Sequence, residues 1–205
     1  MQAVTILVCY DMYVKTVLFV PGFQENLHSR DYSATIVAIK KRGYEVKFVP
    51  INWKRTTIED WTRELDLIYQ KHDSKDTILA GFSYGAMTAF MSATKKNPSE
   101  LWLFSLSPYF AEDLKSRNMM ITWLRQIGNR RVKAFSKLNF ASLSKNVQCR
   151  TLLFAGQLEI NKWPVIAERV TRANKLLKNA KLTIVQDAGH DVSNKGYIDA
   201  ITKII

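Results

Sequence analysis

Six short apolar runs punctuate this chain, each separated from the next by a stretch long enough to hold a helix. They fall at 15–20, 44–49, 77–81, 101–106, 151–155 and 181–186. The first, Lys15-Thr-Val-Leu-Phe-Val20, is apolar nearly throughout. That pattern marks a strand buried on both faces, as in a parallel sheet. Helical spacing of apolar residues fills the intervals. Tyr32, Ile36 and Ile39 follow Asp31, with Gly43 as the stop. Ile58, Trp61, Leu65 and Ile68 follow Thr56-Thr57-Ile58-Glu59, which has the form of a capping box. Met87, Phe90 and Met91 precede Asn97-Pro98. Later helices are predicted from Pro164 to about Lys178 and from Tyr197 to Ile205. Such alternation predicts the α/β class: three α/β/α layers around a mostly parallel sheet of about six strands.

The length of 205 residues fits a single domain, 1–205. Two stretches stand outside the rhythm. Residues 1–11 read as an edge strand or an extension that the fold does not need. The apolar run from Ala3 to Tyr10 is preceded by no basic residue and is not read as a signal peptide. Residues 109–149 fall where one short helix would suffice. There Met120, Trp123, Leu124 and Ile127 suggest one amphipathic helix, and Val132, Phe135 and Leu138 a second.

Charge and cysteine content narrow the partners. Thirty basic against 18 acidic residues give a net charge of +12. The basic clusters, Lys40-Lys41-Arg42, Lys95-Lys96 and Arg130-Arg131, are scattered and accompanied by no nucleic-acid-binding signature. They read as a solvating surface, with no nucleic-acid partner expected. No apolar run approaches the roughly 20 residues that span a bilayer, so stable membrane insertion is not expected. Cys9 and Cys149 read as reduced thiols, which suits a cytoplasmic setting. No Cys/His cluster suggests a metal.

The run at 77–81 ends in Gly81-Phe82-Ser83-Tyr84-Gly85, a G-x-S-x-G pentapeptide at a strand-to-helix junction. A serine at the tip of so sharp a turn needs small residues two before and two after it, because a side chain there would strike neighbouring backbone. The turn exposes the hydroxyl, and the N–H groups opening the helix face whatever it attacks. In an open α/β sheet, ligands bind at the carboxyl ends of the strands, and Ser83 follows one directly. Three other strand ends share that edge. The last run ends in Asp187-Ala188-Gly189-His190, which offers His190 as a general base. The run at 151–155 ends in Gly156-Gln157-Leu158-Glu159, which offers Glu159 as the carboxylate that orients the imidazole. Asp187, Asp113 and Asp191 are rivals for that role. The first run ends in Pro21-Gly22-Phe23, so the N–H groups of Phe23 and Tyr84 are candidates for an oxyanion hole. Gly22, Phe82, Tyr109 and Leu158 lie near the presumed site and suggest an apolar substrate pocket.

In the elbow at 81–85, the loop at 21–23, the acid loop at 156–159 and the histidine at 190, the chain resembles the α/β-hydrolases. The order Ser, acid, His is that family's order. The resemblance spans residue 15 to the C-terminus. Two positions depart from the family's habit: Pro21 stands where a histidine is frequent, and Glu159 where Asp is usual. The resemblance implies a small, near-capless serine hydrolase, similar to carboxylesterases and acyl-thioesterases. It would act on a small-molecule acyl ester or thioester without metal or cofactor, with 109–149 as at most a short partial lid, whose Trp123 and Ile127 either cover an acyl pocket or pack on the body as ordinary core. It leaves open other chemistry of the fold, such as a peptidase, acyltransferase or C–C hydrolase, and a non-catalytic binding protein.

Overall fold

The structure, a computed structural model, describes residues 14–29, 32–114 and 124–205. The predicted strand at 1–11, Cys9, Asp31, Met120 and Trp123 lie outside the described residues. Six strands, β1 (Thr16–Val20), β2 (Glu45–Phe48), β3 (Thr77–Phe82), β4 (Glu100–Phe104), β5 (Arg150–Gly156) and β6 (Ala180–Val185), form one sheet. Its order is β2-β1-β3-β4-β5-β6, and every neighbouring pair is parallel.

The period of two along each strand decides what lies on each face. Val17 and Phe19, Ile78, Ala80 and Phe82, Trp102 and Phe104, and Leu152 and Phe154 enter one apolar cluster. Helices α1 (Tyr32–Lys41) and α8 (Lys195–Ile204) cover it through Ile39, Tyr197 and Ile201. Leu18 and Val20, Leu79, Leu101 and Leu103, and Leu153 enter the opposite cluster. Helices α2 (Ile58–Tyr69) and α3 (Tyr84–Lys96) cover that one with Trp61, Leu65, Met87 and Phe90. Helices therefore lie on both sides of an all-parallel sheet. The central strands β1, β3 and β4 are buried along their whole length, as their sequences require.

The insertion folds as a turn of helix at 124–127, then α4 (Asn129–Phe135), α5 (Phe140–Leu143) and a 3-10 turn (Ser144–Asn146). Ile127, Phe135 and Phe140 are buried in the α2/α3-side core, so these residues pack on the body. Two polar ties fasten the segment. Arg131 donates to the carbonyls of Trp53 (2.7 Å) and Thr56 (3.0 Å). Asp113 pairs with Arg169 of α7 (Pro164–Leu176) through Arg169 Nε at 2.9 Å and Nη2 at 2.5 Å. Both side chains of that pair are buried, and the guanidinium lies 4.8 Å from the ring centroid of Phe110 and 4.5 Å from that of Phe140.

Two local readings shift. The capping box of α2 is built one residue later than expected: the Thr57 N–H donates to Asp60 Oδ2 at 3.0 Å. Thr56 is engaged elsewhere, its hydroxyl donating to the Asn52 carbonyl and accepting from Trp61 Nε1 at 2.8 Å. The last helix starts at Lys195 instead of Tyr197, because Asn194 caps it by accepting from the Gly196 N–H at 2.8 Å. Among the described residues, no helix is long and apolar enough to cross a membrane, and no group of His, Cys, Asp and Glu is arranged to hold a metal. Cys149 is a half-buried free thiol, pushed up to about 11 by burial, which leaves it a poor nucleophile.

Candidate active site

Parallel pairing brings the carboxyl ends of β1, β3, β4, β5 and β6 to one edge, with Val20 opposite Gly81, Phe82 opposite Phe104 and Gly156 opposite Val185. Ser83 sits between β3 and α3 with φ 57° and ψ −115°. A side chain in this region costs of order 1–3 kcal/mol and persists only where the surroundings enforce it. The surroundings are visible in the two glycines. A Cβ at Gly81 would overlap the Gly85 carbonyl, and a Cβ at Gly85 would overlap the carbonyls of Val20 and Pro21. The start of α3 is thus pressed against the end of β1, and the serine between takes up the turn.

His190 lies on the loop after β6. Its Nε2 is 3.0 Å from Ser83 Oγ and its Nδ1 is 2.6 Å from Glu159 Oε1. The ring packs on Phe82 at 4.7 Å between centroids and meets the edge of Trp163 at 6.4 Å. Glu159 is only 1% exposed. It does not stand on a loop, as its distance from the strand suggested. Helix α6 (Gln157–Lys162) begins directly after β5, and Glu159 is in its first turn. A glutamate there reaches back to the helix entrance, and Glu159 Oε2 accepts from the Gly156 N–H at 3.3 Å. The acid and histidine loops are locked together as well. Leu158 N–H donates to the Ala188 carbonyl at 2.9 Å, and a Cβ at Gly156 would overlap that carbonyl.

Two of the rival acids have partners of their own. Asp113 faces Arg169. Asp191 accepts from the Ser193 N–H and hydroxyl at 3.0 and 2.7 Å. Asp187 is an exposed residue in a left-handed turn, φ 53°.

At the end of β1, the Gly22 N–H is taken by Glu25 Oε2 (3.1 Å) and Tyr32 Oη (3.0 Å). Among the described residues, the N–H groups of Phe23 and Tyr84 donate no hydrogen bond. The two side chains are neighbours, with ring centroids 5.2 Å apart. Tyr109 stacks on Tyr84 at 4.9 Å. Burial pushes both phenols above the ordinary tyrosine range, so both keep their protons. The four pocket candidates do not form one wall. Phe82 lies in the core on the α1/α8 side, Tyr109 packs against the opposite cluster, Leu158 is exposed on α6 and Gly22 is buried in its turn.

Three hydroxyl groups here had no part in the sequence reading. Ser107 Oγ is 3.1 Å from Ser83 Oγ, while Ser105 Oγ is 2.7 Å from both Glu159 Oε2 and Tyr197 Oη. The signal was present in part: Ser105-Leu106-Ser107 closes β4 at the same edge, and β4 lies between the strand of Ser83 and the strand that leads to Glu159.

No protein-family model and no curated protein matches the chain. Solved structures do. Est1E from Butyrivibrio proteoclasticus aligns with a TM-score of 0.72 at 14% identity, over 93% of this chain and 86% of its own. The thioesterase domain from the curacin biosynthetic pathway aligns at 0.63 and 17%, over 93% and 89%. MGS-MChE2, an alpha/beta hydrolase enzyme from the metagenome of sediments of the lagoon of Mar Chica, Morocco, aligns at 0.63 and 19%, over 87% and 83%.

Proposed function

For a chain that has the α/β-hydrolase fold, we propose a serine hydrolase that cleaves carboxylic esters or thioesters through an acyl-enzyme on Ser83. The observation that carries this reading is the pair of contacts to His190: Nε2 at 3.0 Å from Ser83 Oγ, and Nδ1 at 2.6 Å from a buried glutamate. Hydrogen bonding by Glu159 fixes the proton on Nδ1 and leaves Nε2 free to take the serine proton. Ser83 Oγ then attacks the carbonyl carbon. The developing oxyanion is held by the N–H groups of Phe23 and Tyr84, each worth roughly a hundredfold or more in rate. Imidazolium protonates the leaving alcohol or thiol, and the acyl group remains on Ser83. Water, deprotonated by His190, reverses the sequence and frees the acid. The steps use side chains, backbone N–H groups and water, and none calls for a metal or cofactor.

The neighbours accord with this class. One is a thioesterase domain, and Est1E is also known with ferulic acid bound. The chain acts as a single domain on small-molecule acyl substrates in the cytoplasm. The test is labelling with a fluorophosphonate probe, alongside turnover of p-nitrophenyl esters of rising acyl length. Wild type is expected to label and turn over, and Ser83→Ala to do neither. His190→Ala should fall by at least about a thousandfold. Labelling that survives Ser83→Ala removes Ser83 as the nucleophile. A wild type that neither labels nor turns over any ester supports a binding protein on the same scaffold.

A further inference from the structure

We propose that Ser105 is a positioning residue for Glu159 and that Tyr197 holds Ser105 in its donor orientation. The proposal rests on the reading of Ser83, His190 and Glu159 as nucleophile, base and orienting acid.

The direction of these bonds follows from a count of protons. An ionised carboxylate only accepts hydrogen bonds, whereas a serine hydroxyl has one proton to give. At 2.7 Å from Glu159 Oε2, Ser105 therefore spends that proton on the carboxylate. Its oxygen can then only accept from Tyr197 Oη, also at 2.7 Å. Tyr197 keeps the proton this requires, since burial and then the charge of Glu159 push its phenol well above the usual range. The bonds run one way: Tyr197 to Ser105 to Glu159.

Placement points to the same role. Ser105, Glu159 and Tyr197 are all essentially inaccessible to solvent, so these hydroxyls serve no surface hydration. Ser105 sits at φ 50°, a conformation that serine rarely adopts, directly after β4. Its N–H is fastened to the Phe154 carbonyl of β5 at 2.7 Å. The backbone is thus held in an unfavourable region at the point where the hydroxyl meets the acid. Glutamate has one more torsion to fix than aspartate. Ser105 and the Gly156 N–H together hold Oε2, which leaves Oε1 for His190. Without Ser105, one weak backbone contact at 3.3 Å would secure that oxygen.

A positioning role acts through Glu159, whereas a purely structural one does not, and a double-mutant cycle separates them. With p-nitrophenyl acetate as substrate, Ser105→Ala is expected to lower kcat by about tenfold, the scale of a lost hydrogen bond to a charged group, with KM within about twofold. Tyr197→Phe, which keeps the ring and its packing, should lower kcat by about threefold. In a Glu159→Ala background, Ser105→Ala should change kcat by less than about twofold. If Ser105→Ala folds poorly, the same cycle is run with Tyr197→Phe. Equal fractional losses in both backgrounds, or an unchanged kcat in the single variants while Glu159→Ala is crippled, would overturn the proposal alone. A Glu159→Ala variant as active as wild type would remove the acid itself, and the proposal with it.

Discussion

At the scale of single residues, the candidate site depends on groups whose chemistry is ordinary and whose placement is not. The Ser83 backbone is held at a positive φ by two contacts that only glycine allows, at Gly81 and Gly85. Glu159 differs from Asp187 in the same way. Both acids are near His190 in space or sequence, yet one is buried against Nδ1 and the other is exposed in a turn. Glu159→Gln is therefore expected to lower kcat by at least a hundredfold, because an amide cannot hold the imidazolium as a carboxylate does. Asp187→Asn should stay within about threefold, since asparagine tolerates the left-handed conformation. Measuring both with one p-nitrophenyl ester checks the pair, and the reverse ranking would move the role to Asp187.

At the scale of elements, legibility followed periodicity. The six strands were readable because burial on both faces leaves an apolar run, and the amphipathic helices because their spacing repeats. Ser105 and Ser107 carry no such signature. A hydroxyl at a strand end is unremarkable until the strand order puts β4 between β3 and β5. Glu159 looked like a loop residue because nothing in Gln157-Leu158-Glu159 announces a helix of only six residues. The insertion was hardest to read, since its short helices hold by contacts distant in sequence. One such contact is testable by pH. Burial pushes the Glu112 carboxyl up, but the N–H groups of Ala141, of Glu112 itself and of Phe140, with the charge of Arg169, together outweigh it, so the folded group sits below its ordinary value of 4.5. A depressed carboxyl contributes stability that is present above the unfolded value and is lost as pH falls through the folded one. Amide exchange at 140–143 is thus expected to accelerate below about pH 4.5, relative to the sheet core. Glu112→Gln should show faster exchange at neutral pH and little further change with acid.

For the whole molecule, the parallel sheet separates two jobs. One edge carries Phe23, Ser83, Ser105, Glu159 and His190, and among the described residues the other carries the returns from helix to strand. Changes at the second edge are expected to be nearly silent. A Gly-Ser-Gly insertion after Arg42, in the exposed turn between α1 and β2, should leave kcat/KM within about twofold. The same insertion after Ser107 should abolish turnover, because it displaces the hydroxyl beside Ser83 and the loop that starts there. Comparing the two variants at matched thermal stability checks the separation.

The chain order of that working edge also fixes when it can first exist. Ser83 and its strained turn belong to strands made early, while His190 comes 107 residues later and Tyr197 later still. During synthesis, at roughly 5–20 residues per second, the serine spends several seconds without the imidazole proposed to activate it. A ribosome-bound chain that stops short of β6 carries an exposed elbow with an unactivated hydroxyl. On the proposed reading, reactivity toward an acyl substrate is expected only once β6 and the loop behind it have joined the sheet, so the onset of turnover would time the docking of that strand.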